Sequence, residues 1–218
     1  MTDAEMIESP DHGKQLARLR SIMHRLRAPG GCPWDAEQTH DSLASYLLEE
    51  TYETLEAIDS GDREHLREEL GDLLLQVVFH ARVAAEDAHD PFTIDDVAAG
   101  ISDKLVRRHP HVFADATAET SAHVEARWDE MKAAEKGRTS ALDGIPPALP
   151  ALSLAAKTMG RAERAGVAPA LPAPEEDIGD ALLVMVARAR DAGVDPEQAL
   201  RRAVARYAEK VRRIEGDR

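Results

Sequence analysis

Four acidic residues stand in mirror register around one glycine. Glu50 and Glu53 precede Gly61 by eleven and eight positions, and Glu69 and Asp72 follow it by eight and eleven. If the flanking segments are helices that reverse at Ser60-Gly61-Asp62, they fold back as an antiparallel hairpin. At about 1.5 Å rise per residue both pairs then lie roughly 12–17 Å from the turn, with Glu53 facing Glu69 and Glu50 facing Asp72. Four carboxylates at one level repel each other unless cations neutralise them, and hard divalent ions such as Mg²⁺ or Mn²⁺ suit an all-oxygen site.

Composition points the same way. The chain has 218 residues, 43 % hydrophobic but only 4 % aromatic, with Ala and Leu abundant and no run of alternating β-branched residues. This favours an all-α fold, an antiparallel helical bundle packed by aliphatic side chains. A net charge of −14 argues against a general nucleic-acid binder, since phosphate backbones call for basic surfaces. Cys32 is the sole cysteine, so no internal disulfide forms and a reducing compartment fits. The polar, acidic N-terminus has no apolar signal-like core, and the longest apolar stretch, Leu73 to Phe79, is far too short to span a bilayer. No membrane partner and a cytoplasmic location are expected.

Along the chain, residues 1–13 read as a tail. Leu16, Leu19, Ile22, Met23 and Leu26 repeat at helical spacing through Arg27. Pro29-Gly30-Gly31-Cys32-Pro33 is a loop. Asp41 is expected to cap a helix running to about Asp59, followed by another from about Asp62 to Ala85. The latter is apolar nearly all round between Leu73 and Phe79, so a partner subunit is expected to cover part of it. Thr93 begins a capping sequence for a helix to about Arg108, where His109-Pro110 stops it. Ser121 can cap a helix through about Lys136, and the Pro-rich stretch from Asp143 to Pro150 marks a boundary. Helices are expected from Ala151 to about Ala165, from about Glu176 to Asp191, and after the Asp195-Pro196 start signal. The segment from Gly179 to Arg190 echoes Gly71 to Arg82, with Asp177 where Glu69 would be. Its upstream partner is Leu171-Pro172-Ala173-Pro174, which cannot be helix interior. The echo is a partial repeat with a structural role.

Each acidic pair places two carboxylates one turn apart on one helical face. Leu70, Leu73 and Leu74 flank the second pair, and Gln76 and His80 continue its polar stripe, His80 either as a hydrogen-bonded core residue or a functional one. Glu49 could hold or deprotonate a water beside the metal, or be an exposed helix glutamate. Lys104, Arg107, Arg108, His109 and His111 form a basic cluster, with Arg127, Lys132 and Lys136 on the next helix. Such cations suit phosphate oxygens or simply complement a helix C-terminus. Trp34, in its loop, either stacks on a base or plugs the bundle end, whereas Trp128 fits the apolar face of its own helix.

Several motifs together resemble the MazG family. They are Gly31 to His40 (GCPWDAEQTH), Tyr46 to Glu53 (YLLEETYE), Glu68 to His80 (EELGDLLLQVVFH), Arg107 to Phe113 (RRHPHVF) and Trp128 to Lys132 (WDEMK). The resemblance covers roughly residues 14–140, and it implies a MazG-type catalytic helical domain there. Residues 141–218 resemble the longer, tandem members but lack most of the second domain's first half. The resemblance implies an all-α nucleoside triphosphate pyrophosphohydrolase that cuts NTP to NMP and pyrophosphate with Mg²⁺ (Mn²⁺ as substitute). It also implies a homodimer or higher assembly and a role in nucleotide-pool housekeeping. The resemblance maps metal binding onto Glu50, Glu53, Glu69 and Asp72. From the residues themselves, Glu49 and Glu53 are the candidates for catalysis, and Trp34, Lys104, Arg107, Arg108, Trp128 and Lys132 for substrate contacts. The competing reading is a non-catalytic nucleotide-binding or assembly module, because the eroded repeat shows that such sites lapse. A ferritin-like di-iron protein needs Glu-x-x-His pairs, and none stands at the matching level.

Overall fold

The computed structural model describes residues 14–114, 120, 124, 127–128, 131, 139–173 and 177–216. All regular structure among them is helical, and no helix there is long and apolar enough to cross a membrane. The chain divides into two compact units, Met1–Glu119 and Thr120–Arg218.

In the first unit, α1 (Gln15–Arg27), α2 (Pro33–Glu37), α3 (His40–Ser60), α4 (Arg63–Ala84), α5 (Ile94–Arg108) and α6 (Pro110–Phe113) follow one another. α3 and α4 are joined only by Gly61 and Asp62. Gly61 takes the left-handed conformation at φ 71°, and the Asp62 carboxylate accepts from the Glu64 and His65 N–H groups to start α4. Glycine reaches that conformation without a Cβ penalty, which permits so short a reversal. His40 meets His80 and Thr54 meets Glu69, so the two helices run antiparallel, as the mirror spacing predicts.

Met23 of α1, Leu43 of α3, and Val78 and Phe79 of α4 form the buried centre, with Leu19, Leu26, Leu75, Val83 and Ile94 packed around it. Arg27 closes the end of this core. Its guanidinium lies 5.6 Å above the Phe79 ring and donates to the Asp35 and Gln38 carbonyls. α5 begins with a reciprocal box in which Thr93 and Asp96 each satisfy the other's N–H, as its sequence predicts.

Two local expectations are corrected. Asp41 does not cap α3: Thr39 does, in a reciprocal box with Ser42, which leaves Asp41 in the first turn, where its charge still complements the dipole. Cys32-Pro33 also opens a short helix, α2, because proline's fixed φ suits the first helical position.

The second unit contains α7 (Ala151–Arg164), α8 (Ile178–Asp191) and α9 (Pro196–Gly216), and Val124, Arg127, Trp128 and Met131 are also helical. Glu163 accepts from Arg190 at 2.6 Å through both oxygens, tying α7 to α8. Asp177, which aligns with Glu69 in the echo, caps α8 by accepting from the Gly179 and Asp180 N–H groups.

Candidate metal and nucleotide site

The hairpin brings three of the four mirrored acids together. Glu50, Glu69 and Asp72 each offer a carboxylate oxygen, and all three lie within 4.8 Å of one another. Glu69 is buried and Glu50 and Asp72 are half-buried. Glu53, one turn after Glu50, stands outside this triad and is exposed. Its charge still reaches Glu50, whose carboxyl is pushed above the ordinary carboxylate range. Burial is the main cause, followed by Asp72, Glu53, Glu69 and Glu49. His65 approaches from one turn before, its Nε2 at 3.1 Å from Glu69 Oε1. Thr54 is buried at the floor, where its hydroxyl donates to the Glu50 carbonyl at 2.8 Å and approaches the Glu69 carbonyl at 3.4 Å.

Three carboxylates this close repel one another, and a bound cation would offset that repulsion. The donor set fits a hard divalent cation, which takes carboxylate oxygens in preference to sulfur or imidazole.

Two turns beyond Asp72 along α4, His80 pairs with His40 on α3. The two Nδ1 atoms are 2.8 Å apart and the ring planes diverge by only 4°. Nearly parallel rings with atoms this close cannot be face-stacked, because stacked carbons need about 3.5 Å. They meet edge to edge through one N–H···N bond. Only one of the two Nδ1 atoms can carry the proton. Burial, then the charge of His40, pushes the His80 pKa below the ordinary histidine value. Its Nε2 and the Gln76 Oε1, one turn earlier on the same face, are buried without a hydrogen-bond partner among the described residues. Sequence reasoning singled out Gln76 and His80 but missed His40. Strict mirror register about Gly61 pairs His40 with Arg82 rather than His80, since His40 lies twenty-one positions before the glycine and His80 nineteen after.

The remaining candidates occupy several elements. Glu49 is exposed beside Glu50. Trp34 on α2 is 49 % exposed and makes edge contacts with Tyr46 and Phe79, at 5.9 and 6.4 Å between ring centres. Lys104, Arg107 and Arg108 occupy the last turns of α5, which packs on α4. Trp128 is a half-buried helical residue of the second unit, and Lys132 lies outside the described residues.

The MazG nucleotide pyrophosphohydrolase domain matches residues 38–113, a segment that holds α3, α4, α5 and all three converging acids. The chain is 44 % identical to an Escherichia coli K12 protein named nucleoside triphosphate pyrophosphohydrolase, over 92 % of this chain and 87 % of that one. It is 41 % identical to the Thermotoga maritima nucleoside triphosphate pyrophosphohydrolase/pyrophosphatase MazG, over 90 % and 84 %. An uncharacterized 26.1 kDa protein of Streptomyces cacaoi is 52 % identical over 94 % and 84 %. The chain belongs to the MazG family.

Proposed function

We propose that this chain hydrolyses nucleoside triphosphates to the monophosphate and pyrophosphate at the acid cluster of α3 and α4. The observation that carries the reading is the convergence of Glu50, Glu69 and Asp72 within the segment that matches the family. In this reading the three acids, with Glu53 beside them, hold Mg²⁺, or Mn²⁺ in its place. When bound, the ion supplies neutralisation of phosphate oxygens and a lowered pKa for a nearby water.

The chain's own residues do the rest. Glu49, exposed next to Glu50, accepts the proton of the attacking water. The water oxygen bonds to one of the two phosphorus atoms as the bridging P–O bond between the α and β phosphates breaks; the departing group takes the bonding electrons, and the products are the monophosphate and pyrophosphate. Lys104, Arg107 and Arg108 grip phosphate oxygens as charge builds. Trp34 contacts the base. Residues 14–140 form the catalytic domain, and residues 141–218 are a partial second repeat that lacks the first acidic helix.

A homodimer completes the fold in this reading. Leu70, Leu74 and Val77 are 50 %, 37 % and 40 % exposed and recur at i, i+4 and i+7 on α4, the spacing of a helix-packing stripe. The enzyme works on nucleotide pools in the cytoplasm.

The test is to incubate the pure protein with the eight common NTPs and dNTPs plus Mg²⁺ and to assay pyrophosphate. Release that vanishes in Asp72→Asn supports the proposal. Absence of pyrophosphate with every nucleotide would leave a binding module instead.

A further inference from the structure

On the side of α4 turned away from the acid triad, α1, α4 and the start of α5 border a half-open cavity of about 300 Å³. With 3.6 residues per turn, Val78, Ala81 and Ala85 fall opposite Glu69 and Asp72, so the cavity is separate from the cluster that the proposed chemistry uses. Its walls are apolar at Met23, Val78 and Ala81. Among the described residues its ionisable lining is basic, from Arg20, His24 and Arg82.

The charges around it do not balance. Arg20 is matched by Asp95 at 2.5 Å. Glu86 alone serves two guanidiniums: it accepts from Arg27 through both oxygens and from Arg82 Nη2 at 3.1 Å. Among these groups one positive charge remains in excess even with His24 neutral. The Arg82 Nε–H is buried with no acceptor among the described residues. Arg82 itself lines the cavity, and a guanidinium that shares its one acid with Arg27 gains from a further acceptor at the cavity wall.

We propose that this cavity binds a small monoanion with an apolar body, a medium-chain carboxylate in chemical class. The carboxylate accepts from Arg82 and balances the surplus charge, and the chain packs against Met23, Val78 and Ala81. Binding here depends on neither metal nor nucleotide, so it stands or falls independently of the hydrolytic reading.

The experiment is calorimetric titration of the full chain with octanoate, alongside octylamine. Octanoate is expected to bind saturably at one site and octylamine not to bind. Arg82→Gln should weaken octanoate about tenfold or more, the scale of one charge-assisted hydrogen bond, and Arg82→Lys should retain part of the affinity. Ala85→Leu, which narrows the cavity from the half-buried end of α4, should weaken it comparably while keeping Arg82. It decides the matter if Arg82→Gln melts. No saturable uptake, equal uptake of octylamine, or undiminished binding in the folded variants would overturn the proposal.

Discussion

Arg27 holds both carboxylate oxygens of Glu86, at 3.1 and 2.7 Å, across fifty-nine positions of sequence. The Arg27 side chain is only 5 % exposed, so the pair locks the end of α1 to the end of α4. The Arg27 hydrogen bond holds the Glu86 carboxyl below its ordinary value against the opposing effect of burial, with the charges of Arg27, Arg82 and His24 adding to it. A depressed carboxylate contributes stability above its unfolded pKa of about 4.3, and that contribution is lost as pH falls through the folded value. Glu86→Gln is therefore expected to lose roughly 1–3 kcal/mol at neutral pH, toward the low end because Glu86 is partly solvated. Urea melts should show the gap between mutant and parent closing in acid. An equal gap at pH 7 and pH 3 would contradict the assignment.

The acid triad should affect stability and turnover in opposite directions. The raised Glu50 carboxyl means that its charged form opposes folding above its unfolded pKa, an effect relieved as pH falls. Glu50→Gln is expected to raise the melting temperature in EDTA and to cut pyrophosphate release at least about 100-fold. Added Mg²⁺ should stabilise the parent and leave the variant nearly unmoved. A variant that melts lower in EDTA would refute the electrostatic reading.

The His40–His80 pair can be followed by NMR. The pKa of His80 is lowered, so below the unfolded value of about 6.5 the unfolded chain takes up the proton first, and stability falls as pH drops through that range until His80 itself protonates. His40→Phe removes the charge but not the burial, so the His80 midpoint should rise yet stay below that of a free histidine. A midpoint unchanged by His40→Phe would mean the contact does not persist in solution.

Two glycines separate backbone strain from crowding. Gly61 has positive φ and nothing within 4 Å of an added Cβ, so Gly61→Ala should cost only about 1–2 kcal/mol, the left-handed penalty. At Gly31 an added Cβ would collide with the Leu26 and Arg25 carbonyls and approach Ala28 O at 2.8 Å. Those are backbone atoms that cannot swing aside, so Gly31→Ala should destabilise more. Denaturant midpoints of the two variants in the opposite order would contradict this.

The apolar stripe of α4 gives a prediction about assembly. Leu74→Asp, placed where the side chain is already partly exposed, should leave the helix content intact and shift sedimentation from dimer to monomer. A parent that already sediments as a monomer would remove the dimer from the proposal.

The helices were largely legible because their signals are local. The period of Leu16 to Leu26, the Thr93 box and the reversal at Gly61 each depend on neighbours within a few residues. The approach of Glu50 to Glu69 and Asp72 was legible for a related reason, since a two-residue turn converts spacing directly into distance. What depends on remote partners was not. Nothing near Arg27 in sequence announces Glu86 or Phe79, and the cavity beside Arg82 exists only where three helices meet. Asp41 misled because Thr39, Asp41 and Ser42 are all good capping residues, and only backbone geometry selects among them.

The connection between α3 and α4 also has a kinetic corollary. Every carboxylate of the cluster comes from within a stretch shorter than twenty-five residues, closed by a minimal loop. Such short-range closure sacrifices little chain entropy and can precede slower, more distant docking. A nascent polypeptide could therefore assemble its acidic hairpin before the C-terminal helices had been synthesised.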